Sequence, residues 1–446
     1  MRTLSILLFL FVLGTAPALA ESVAIVNVNV IPMTSEVVLP GRSVVVTDGR
    51  IAAIGDVDTT ALPEDAAIID GTDRYLMPGL AEMHAHVPGA SSQDLERVLG
   101  LFAANGVTLI RGMLGQPSHL ELRKQLAEGE IVGPRLFTSG PSFNSNSVDG
   151  PEQAAAMVRE QVRDGYDFLK IHPGLSLAEF QAIARMANEL HIPFAGHVPE
   201  DVTVEQALAA GIATIDHLDG YMVSLLVPNK DPSGGFGGFF GVYLAEHADP
   251  GEIVGIAAAT ATAGAWNVPT QTLFENFVSA EDPQRMAERP ELKYVSAGTV
   301  ESWKEAKSEL MQEALYKPET AARAIELRRQ LILALHRSGA GLLLGSDAPQ
   351  VFNVPGFSIH RELKLLVEAG LSPYEALQTG TVYPASFFNQ ESYFGTVQPG
   401  LEADLVLLDG NPLQDIGNSR RIHGVMIRGR WLSRQDIDRL LQRFER

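Results

Sequence analysis

The segment Tyr75-Leu-Met-Pro-Gly-Leu-Ala-Glu-Met-His-Ala-His86 decides the fold. Its apolar residues predict a buried strand, and two histidines close that strand. Side chains two residues apart on a strand point to the same face, so we expect His84 and His86 to present their imidazoles together. Two imidazoles at one strand end can form part of a metal site. A polar strand end in water is the alternative for this motif taken alone.

Four further polar residues stand at the ends of predicted strands: Lys170, His197, His217 and Asp347. Each alone has an ordinary explanation as a solvated or turn residue. Polar residues that end parallel strands gather on one rim of a sheet or barrel, where active sites lie. With His86, the spacing of these residues along the chain fits strands 1, 4, 5, 6 and 8 of an eightfold strand–helix series.

The distribution of strands and helices predicts two kinds of region. Residues 79–389 alternate short apolar runs with amphipathic stretches, which is typical of parallel strands with crossover helices. A closed eightfold barrel and an open doubly wound sheet both fit this alternation. Residues 21–78 and 390–446 carry mostly strand patterns, and strand fragments of this size are marginal alone. We therefore expect the two ends to form one small β module.

The first twenty residues predict a secretory signal peptide. Arg2 precedes an apolar run over residues 4–13, and Ala18-Leu-Ala20 resembles a small-residue cleavage site. Cleavage after Ala20 predicts an exported protein, periplasmic or secreted, without a membrane span in its mature form. The chain contains no cysteine, which excludes disulfides and a thiol nucleophile.

Composition narrows the classes of function. The 446 residues are 46% hydrophobic and 20% charged, as in ordinary globular proteins. The net charge of -20 argues against nucleic-acid binding, which requires a basic face. The absence of G-x-S-x-G argues against a serine hydrolase, and the absence of G-x-x-x-x-G-K-S/T argues against a nucleotide enzyme. We expect a small-molecule substrate as the partner, and leave a homo-oligomer open.

The complete set of motifs resembles the amidohydrolase superfamily. The matching residues are Pro78-Gly-Leu-Ala-Glu-Met-His-Ala-His86, Lys170 within Phe-Leu-Lys-Ile, His197, Asp216-His217 and Gly345-Ser-Asp347. Within the superfamily the chain looks closest to the imidazolonepropionase-like branch, which includes exported prolidases and dipeptidases. The resemblance implies an α/β fold with a (β/α)8 TIM barrel over residues 79–389. We expect the β module of residues 21–78 and 390–446 to be a β-sandwich.

The resemblance also implies a binuclear metal centre. Two divalent metal ions, with zinc expected, would be bridged by a carbamylated Lys170 and a hydroxide. His84 and His86 would bind one metal, and His197 and His217 the other. Asp347 would bind a metal and carry a proton from the attacking hydroxide to the leaving nitrogen. The expected reaction is hydrolysis of an amide or peptide bond in a dipeptide, an Xaa-Pro compound or an N-acyl amino acid.

Substrate contacts depart from the pattern of the prolidase-like relatives. Those relatives often carry a Gly-Gly-His after the equivalent of Gly140-Pro-Ser-Phe143, where this chain has Asn144-Ser-Asn-Ser-Val148. We name His172, Tyr221 and His360 as candidate substrate residues: His172 for the carbonyl, because it shares a strand face with Lys170, and Tyr221 for a substrate carboxylate. The Gly-rich segment Ser233–Gly241 is a candidate lid, with a disordered surface loop as the alternative.

Two other functions stay open from the sequence. His197-Val-Pro-Glu200 matches the H-x-x-E of mononuclear deaminases, so Glu200 is the proton shuttle in that alternative. A catalytically silent binding protein on the same barrel is the second. The metal stoichiometry separates the two enzymes, with two metals per chain for the hydrolase and one for the deaminase. An observation of metal-dependent hydrolysis would exclude the catalytically silent binding protein.

Overall fold

The computed structural model describes residues 22–89, 92, 94–227 and 237–446. The predicted signal peptide, residues 1–20, lies outside the described residues, as do residues 233–236 of the predicted lid. In the part of the chain that is described, no helix has both the length and the apolar character needed to cross a bilayer.

The described residues form an α/β fold. The strands are β1 (Ser22–Val30), β2 (Leu39–Thr47), β3 (Arg50–Asp56), β4 (Ala67–Asp70), β5 (Tyr75–Pro78), β6 (Leu80–Ala85), β7 (Val107–Gly112), β8 (Arg135–Thr138), β9 (Leu169–Ile171), β10 (Phe194–Gly196), β11 (Thr214–Asp216), β12 (Trp266–Val268), β13 (Gly341–Leu342), β14 (Leu405–Leu408), β15 (Ile422–Ile427) and β16 (Arg430–Ser433). The α-helices are α1 (Leu95–Ala104), α2 (Ser118–Ala127), α3 (Pro151–Asp164), α4 (Leu177–Glu189), α5 (Val204–Ala209), α6 (Tyr221–Ser224), α7 (Ile253–Ala263), α8 (Gln271–Val278), α9 (Pro283–Ala287), α10 (Ala297–Gln312), α11 (Pro318–Ser338), α12 (Phe357–Glu368), α13 (Pro373–Thr379), α14 (Val382–Phe387) and α15 (Arg434–Phe444).

Several helices begin where the sequence supplies a reciprocal cap. Ser176 starts α4 by accepting a hydrogen bond from the Glu179 backbone N–H, and the Glu179 carboxylate accepts from the Ser176 backbone. Thr203 and Gln206 start α5 in the same way. Such pairs satisfy two of the free backbone donors at a helix start. They fix α4 and α5 directly after the segments that carry Lys170 and His197.

Strands from the two chain ends share one sheet. Its order is β16-β15-β14-β5-β1-β2-β3, and β4 pairs with β1. The connection between the ends is the antiparallel pair of β5 and β14, in which Met77 lies opposite Val406. Among the described residues these strands belong to this single sheet, so the two stacked sheets of the predicted β-sandwich are not observed.

Parallel strands occupy the middle of the chain. One sheet has the order β13-β12-β11-β10-β9, and the other β6-β7-β8. Isolated parallel bridges connect them on both sides: Ser139 pairs with Phe168 between β8 and β9, and Ala85 pairs with Ala348 beyond β13. This arrangement brings the ends of β6, β9, β10 and β11 to a common rim.

Candidate metal centre

The two histidines of the H-x-H motif lie together at the end of β6. His84 is buried, whereas the His86 side chain is 20% exposed. Their rings stack with centroids 5.6 Å apart. The intervening Ala85 pairs with Ala348, so the backbone of this strand end is fixed by the segment that carries Asp347.

The other predicted ligands surround this pair. The His217 ring lies 4.5 Å from His84 and 4.6 Å from His197, measured between centroids. Asp347 places Oδ1 2.9 Å from Nε2 of His86 and Oδ2 3.6 Å from Nδ1 of His217. Its backbone N–H donates to the His84 carbonyl at 3.0 Å. The structure therefore brings residues from distant parts of the chain into one cluster.

Lys170 lies within this cluster in an unusual state for a lysine. Its side chain is fully buried, and Nζ has no hydrogen-bond partner. Burial lowers the pKa of Lys170 to about 8. A buried ammonium without a partner is unfavourable, so this environment makes the neutral amine, the form that can react with carbon dioxide, far more accessible than it is in an exposed lysine.

The donor set fits a resident metal. Ligand atoms of His84, His86 and Asp347 lie within 4.8 Å of one another. Imidazole nitrogens and a carboxylate are ligands that zinc accepts. Independently, the buried amine of Lys170 has no hydrogen-bond partner within the protein. The side chains of the cluster therefore do not satisfy one another, as they would in an ordinary buried polar network.

Asp347 and His217 hold uncommon backbone conformations. Asp347 has φ +61° and His217 has φ +63°. Non-glycine residues in this region cost free energy, and they occur at sites where the surroundings fix them. For His217 the fixing contact is Arg328, whose guanidinium donates to its carbonyl oxygen at 2.6 Å.

The carboxyl group of Asp347 is held in its ionised form. Burial alone would raise the pKa of Asp347, but His84 and His86 outweigh burial and hold that pKa below its ordinary value.

Each of three histidines has a partner that orients its ring. Nδ1 of His84 lies 2.8 Å from a carboxylate oxygen of Asp216, and Nδ1 of His197 lies 3.0 Å from Oδ2 of Asp219. Nδ1 of His217 lies 2.9 Å from the hydroxyl of Thr270. Contacts of this kind fix the tautomer and leave the other ring nitrogen for a metal.

Arg111 holds Asp216 in place below the cluster. Both side chains are fully buried. Nη2 of Arg111 lies 3.1 Å from each Asp216 oxygen, and Nε donates to the Met83 carbonyl at 2.7 Å. The pKa of Asp216 is held well below its ordinary value: burial opposes this shift, but Arg111 outweighs it.

Glu82 connects β6 to the segment before Asp347. Its carboxylate accepts hydrogen bonds from the backbone N–H and hydroxyl of Ser346, at 2.7 and 2.5 Å. It also accepts from the His84 backbone N–H at 3.1 Å. Burial raises the pKa of Glu82 to about 8.

Sequence reasoning did not identify Arg111, Asp219 or Thr270. A signal for Arg111 was available, because Val107-Thr-Leu-Ile-Arg-Gly112 places a lone charge inside an apolar strand. A buried charge requires a partner of opposite sign. Asp219 and Thr270 lie in connecting segments, where a short polar side chain gives no comparable signal.

The three candidate substrate residues lie in different places. His172 lines the cavity at the cluster, and its ring stacks on His197 with centroids 5.1 Å apart. The Tyr221 hydroxyl is buried and contacts Thr260 and Asn267, each at 2.9 Å. With these internal partners, it is not oriented to hold a substrate carboxylate.

His360 is also directed away from the cluster. Nδ1 lies 3.0 Å from the Ser419 hydroxyl, and Nε2 lies 3.1 Å from the Asn105 carbonyl oxygen. Both ring nitrogens therefore serve packing between α12 and its neighbours. The interpretation of His360 as a substrate residue does not fit this position.

Glu200, the proton shuttle of the deaminase alternative, lies outside the cavity lining. It is exposed, and its carboxylate accepts a hydrogen bond from the Gly174 backbone N–H at 3.1 Å. This placement does not supply a proton acceptor at the histidine cluster.

A cavity of about 210 Å³ opens above the cluster. One side is formed by histidines and Asp347. The rest of the lining is mostly apolar, with Phe239, Phe240, Leu273, Phe277 and Val351 beside Gln350. The segment Phe239–His247 has 3₁₀ hydrogen bonding that is interrupted by a kink at Phe240 and Gly241. The described part of the predicted lid therefore contributes two of these side chains, Phe239 and Phe240. Whether it moves as a lid stays a prediction.

The fold and the cluster define an α/β protein with a site suited to a metal-dependent hydrolase. The profile of the Amidohydrolase family matches residues 75–432. The chain therefore belongs to the amidohydrolase family, which confirms the predicted superfamily.

Individual relatives agree with that class. The chain is 25% identical to the ochratoxinase of Aspergillus niger over 371 residues, covering 76% of this chain and 71% of that protein. It is 25% identical to the imidazolonepropionase of Symbiobacterium thermophilum over 397 residues, covering 84% and 85%. A solved Xaa-Pro dipeptidase with methionine bound in its active site has the same fold, with a TM-score of 0.67 at 19% identity, covering 92% of this chain and all (100%) of that one.

Proposed function

We propose that this protein hydrolyses an amide or peptide C–N bond in a small molecule, of the dipeptide, Xaa-Pro or N-acyl amino acid type. The observation that carries the proposal is the buried amine of Lys170, which has no hydrogen-bond partner and lies close enough to His84, His217 and Asp347 to interact with them electrostatically. A structural lysine in the interior would be paired with a carboxylate or with carbonyl oxygens. The arrangement instead supports a site completed by carbon dioxide and metal.

Two divalent metal ions, zinc by preference, complete the proposed site. His84, His86, His197, His217, Lys170 and Asp347 would hold them. Bound metal supplies a polarised substrate carbonyl and water of lowered pKa. The neutral Lys170 amine attacks carbon dioxide, forming an N–C bond and releasing a proton. The resulting carbamate has two oxygens and one negative charge.

Asp347 is the proposed proton carrier. The low pKa keeps its carboxylate ionised at neutral pH. The carboxylate accepts a proton from the attacking water and donates it to the leaving nitrogen as the C–N bond breaks. His172 lines the same cavity and is the proposed contact to the substrate carbonyl.

The strand pairing supports a closed (β/α)8 barrel as the frame of this site. Eight parallel strands, β6 to β13, are linked in sequence order by two sheets and by the bridges at Ser139–Phe168 and Ala85–Ala348. Closure would place all six proposed ligands at the carboxyl ends of the strands, the end at which barrel enzymes bind substrate.

The proposed localisation is outside the cytoplasm, periplasmic or secreted. It is supported by the composition of residues 1–20. The mature chain is then a soluble enzyme acting on small molecules.

A combined measurement of metal content and turnover tests the proposed function. The mature protein, loaded with zinc, is assayed against dipeptides and N-acyl amino acids, and its metals are counted. Two metals per chain and release of the amine product are expected. One metal per chain with release of ammonia from an aminated heterocycle supports the deaminase instead. Metal binding without turnover on either panel supports the silent binding protein.

A further inference from the structure

The cavity wall that faces the histidine cluster is built from aromatic rings. Phe239 and Phe240 contact each other with centroids 4.2 Å apart. Phe239 meets Phe277 of α8 edge to face, at 4.6 Å and 68°. The three rings therefore form a continuous surface from the 3₁₀ helix to α8. Among the described lining residues, Gln350 is the polar side chain outside the cluster.

Phe240 occupies a strained position in this wall. Its φ is +47°, a conformation that bulky side chains rarely adopt. Its ring lies nearly parallel to the His217 ring, at 4.8 Å and 10°. The His197 ring is 6.1 Å away. The strained backbone thus holds the ring flat against a proposed metal ligand.

A small space of about 10 Å³ lies behind Phe240. Its walls are mostly apolar, with Leu218, Met222 and Leu225, and also include Arg328, and Phe240 borders both this space and the cavity at the cluster. The Phe240 ring is therefore the partition between them. A smaller side chain at this position would enlarge the cavity by the volume of the removed ring and join it to that small space.

We propose that the substrate carries a flat aromatic group next to the scissile amide, and that Phe240 sets the upper limit on the size of this group. The proposal rests on the proposed function and adds its substrate class. Phe239, Phe240 and Phe277 line the same cavity, so an aromatic group seated there can meet their rings edge to face or offset, which are the favoured arrangements of aromatic pairs. A ring seated there also excludes water from the reacting carbonyl.

Four amides of graded size test the proposal: N-acetylglycine, N-benzoylglycine, N-acetylphenylalanine and N-(2-naphthoyl)glycine. The zinc-loaded mature protein should cleave at least one of the two single-ring amides with kcat/KM about 10-fold or more above that of N-acetylglycine. Phe240→Ala should raise the ratio of naphthoyl to benzoyl cleavage about 10-fold. Phe240→Leu is the matched control, since it keeps apolar bulk and removes the flat ring, and it should leave the size limit nearly in place.

Binding of product acids supplies a readout that does not depend on turnover. Benzoate should bind the zinc-loaded protein about 10-fold more tightly than acetate in calorimetry, and Phe240→Ala should reduce this difference. The metal content and thermal unfolding of each variant establish that it has folded.

The outcomes separate the two proposals. Cleavage of all four amides at similar kcat/KM overturns the aromatic substrate class, and an unchanged naphthoyl-to-benzoyl ratio in folded Phe240→Ala overturns the size limit set by Phe240. Both results leave amide hydrolysis standing. Tight, Phe240-dependent benzoate binding without cleavage of any amide overturns the proposed function and supports the aromatic subsite.

Discussion

The amine of Lys170 lies against the side of Gly196 that a side chain would occupy. A Cβ placed on Gly196 would come within 3.1 Å of Nζ of Lys170 and 2.9 Å of its Cδ. It would also approach the Ile171 carbonyl oxygen to 2.5 Å. The φ of Gly196 is +123°, a value that L side chains rarely adopt. The bare glycine before His197 therefore leaves the space in which Lys170 reaches the cluster.

Gly196→Ala should displace Lys170 and reduce the metal content of the protein. The new methyl group clashes with backbone as well as with a flexible amine, so the clash is not relieved by movement of the lysine alone. We expect activity to fall about 10-fold or more, since misplacement by about 1 Å can cost 100-fold. Metal analysis and amide turnover check this. Gly298→Ala is the control, because nothing lies within 4 Å of its Cβ position; equal metal content in both variants would contradict the argument.

Lys170→Ala should bind fewer metals than the unaltered protein and lose turnover. The substitution removes the group that carbon dioxide converts into a bridging anion. A short carboxylic acid such as acetate or propionate fits the space left by the side chain and should restore part of the metal content. The measurement is metal stoichiometry with and without the acid. Full metal content and full activity in Lys170→Ala would show that this lysine has no part in the site.

Asp347→Asn should retain the fold and much of its metal while losing turnover. An amide oxygen can still coordinate, but an amide cannot accept the proton. General acid–base groups contribute about 10²–10⁴-fold to the rate, so kcat should fall by about 100-fold or more. Metal analysis distinguishes this from loss of a ligand. Near-normal activity with two metals bound would mean that the proton travels by another group.

Arg111→Met should destabilise the protein by about 3–5 kcal/mol, as expected when one partner of a buried ion pair is removed. The cause is the carboxylate of Asp216, which would remain fully buried without its counter-charge. The free energy of unfolding in urea measures the effect.

Arg163→Met provides the comparison for that measurement. Arg163 pairs with Glu160 and Asp164, but its side chain is 70% exposed. Exposed ion pairs contribute about 0–1 kcal/mol, so this variant should unfold almost as the unaltered protein does. Similar decreases in the free energy of unfolding of the two variants would indicate that the buried Arg111–Asp216 pair stabilises the protein no more than an exposed ion pair does.

Export of the full-length chain should produce a mature protein that starts near Glu21. The apolar run and the Ala18-Leu-Ala20 site support cleavage there. N-terminal sequencing of the exported protein is the test. An exported protein that still began at Met1 would disprove the signal-peptide interpretation.

The cluster of His84, His86, Lys170, His197, His217 and Asp347 could be predicted from the sequence because its members follow short apolar strands. Parallel strands bring their ends to one rim whatever the connecting helices contain. Lys170, His197 and His217 could therefore be grouped before any distance was known. The motif around His84 and His86 supplied the same information for the first strand of the series.

The direction in which a side chain points from a helix could not be predicted from the sequence in this way. Tyr221 follows His217 closely in the chain, but α6 turns its hydroxyl toward Thr260 and Asn267. His360 lies on α12, where both ring nitrogens find internal partners. Neither set of contacts could be predicted from the sequence, because each depends on which distant segment packs against the helix.

The pairing of strands in the β module could not be predicted from the sequence either. The alternation in residues 23–30 indicated a strand, but not its neighbours. In the structure β1 pairs antiparallel with β2 and parallel with both β4 and β5. A mixed sheet of this kind depends on the order in which the connections cross, and local hydrophobic patterns carry no information about that order.

The carboxylate of Glu82 joins segments that are 264 residues apart in the chain, since it binds both β6 and Ser346. A growing polypeptide therefore contains His84 and His86 long before Ser346 and Asp347 have been synthesised. Until then the His84 end of β6 lacks the Asp347 carboxylate, 3.7 Å from its Nε2, and the hydrogen bond from the Asp347 backbone N–H to its carbonyl. The cluster can therefore be complete only in a nearly complete chain, and the same holds for its proposed capacity to bind metal.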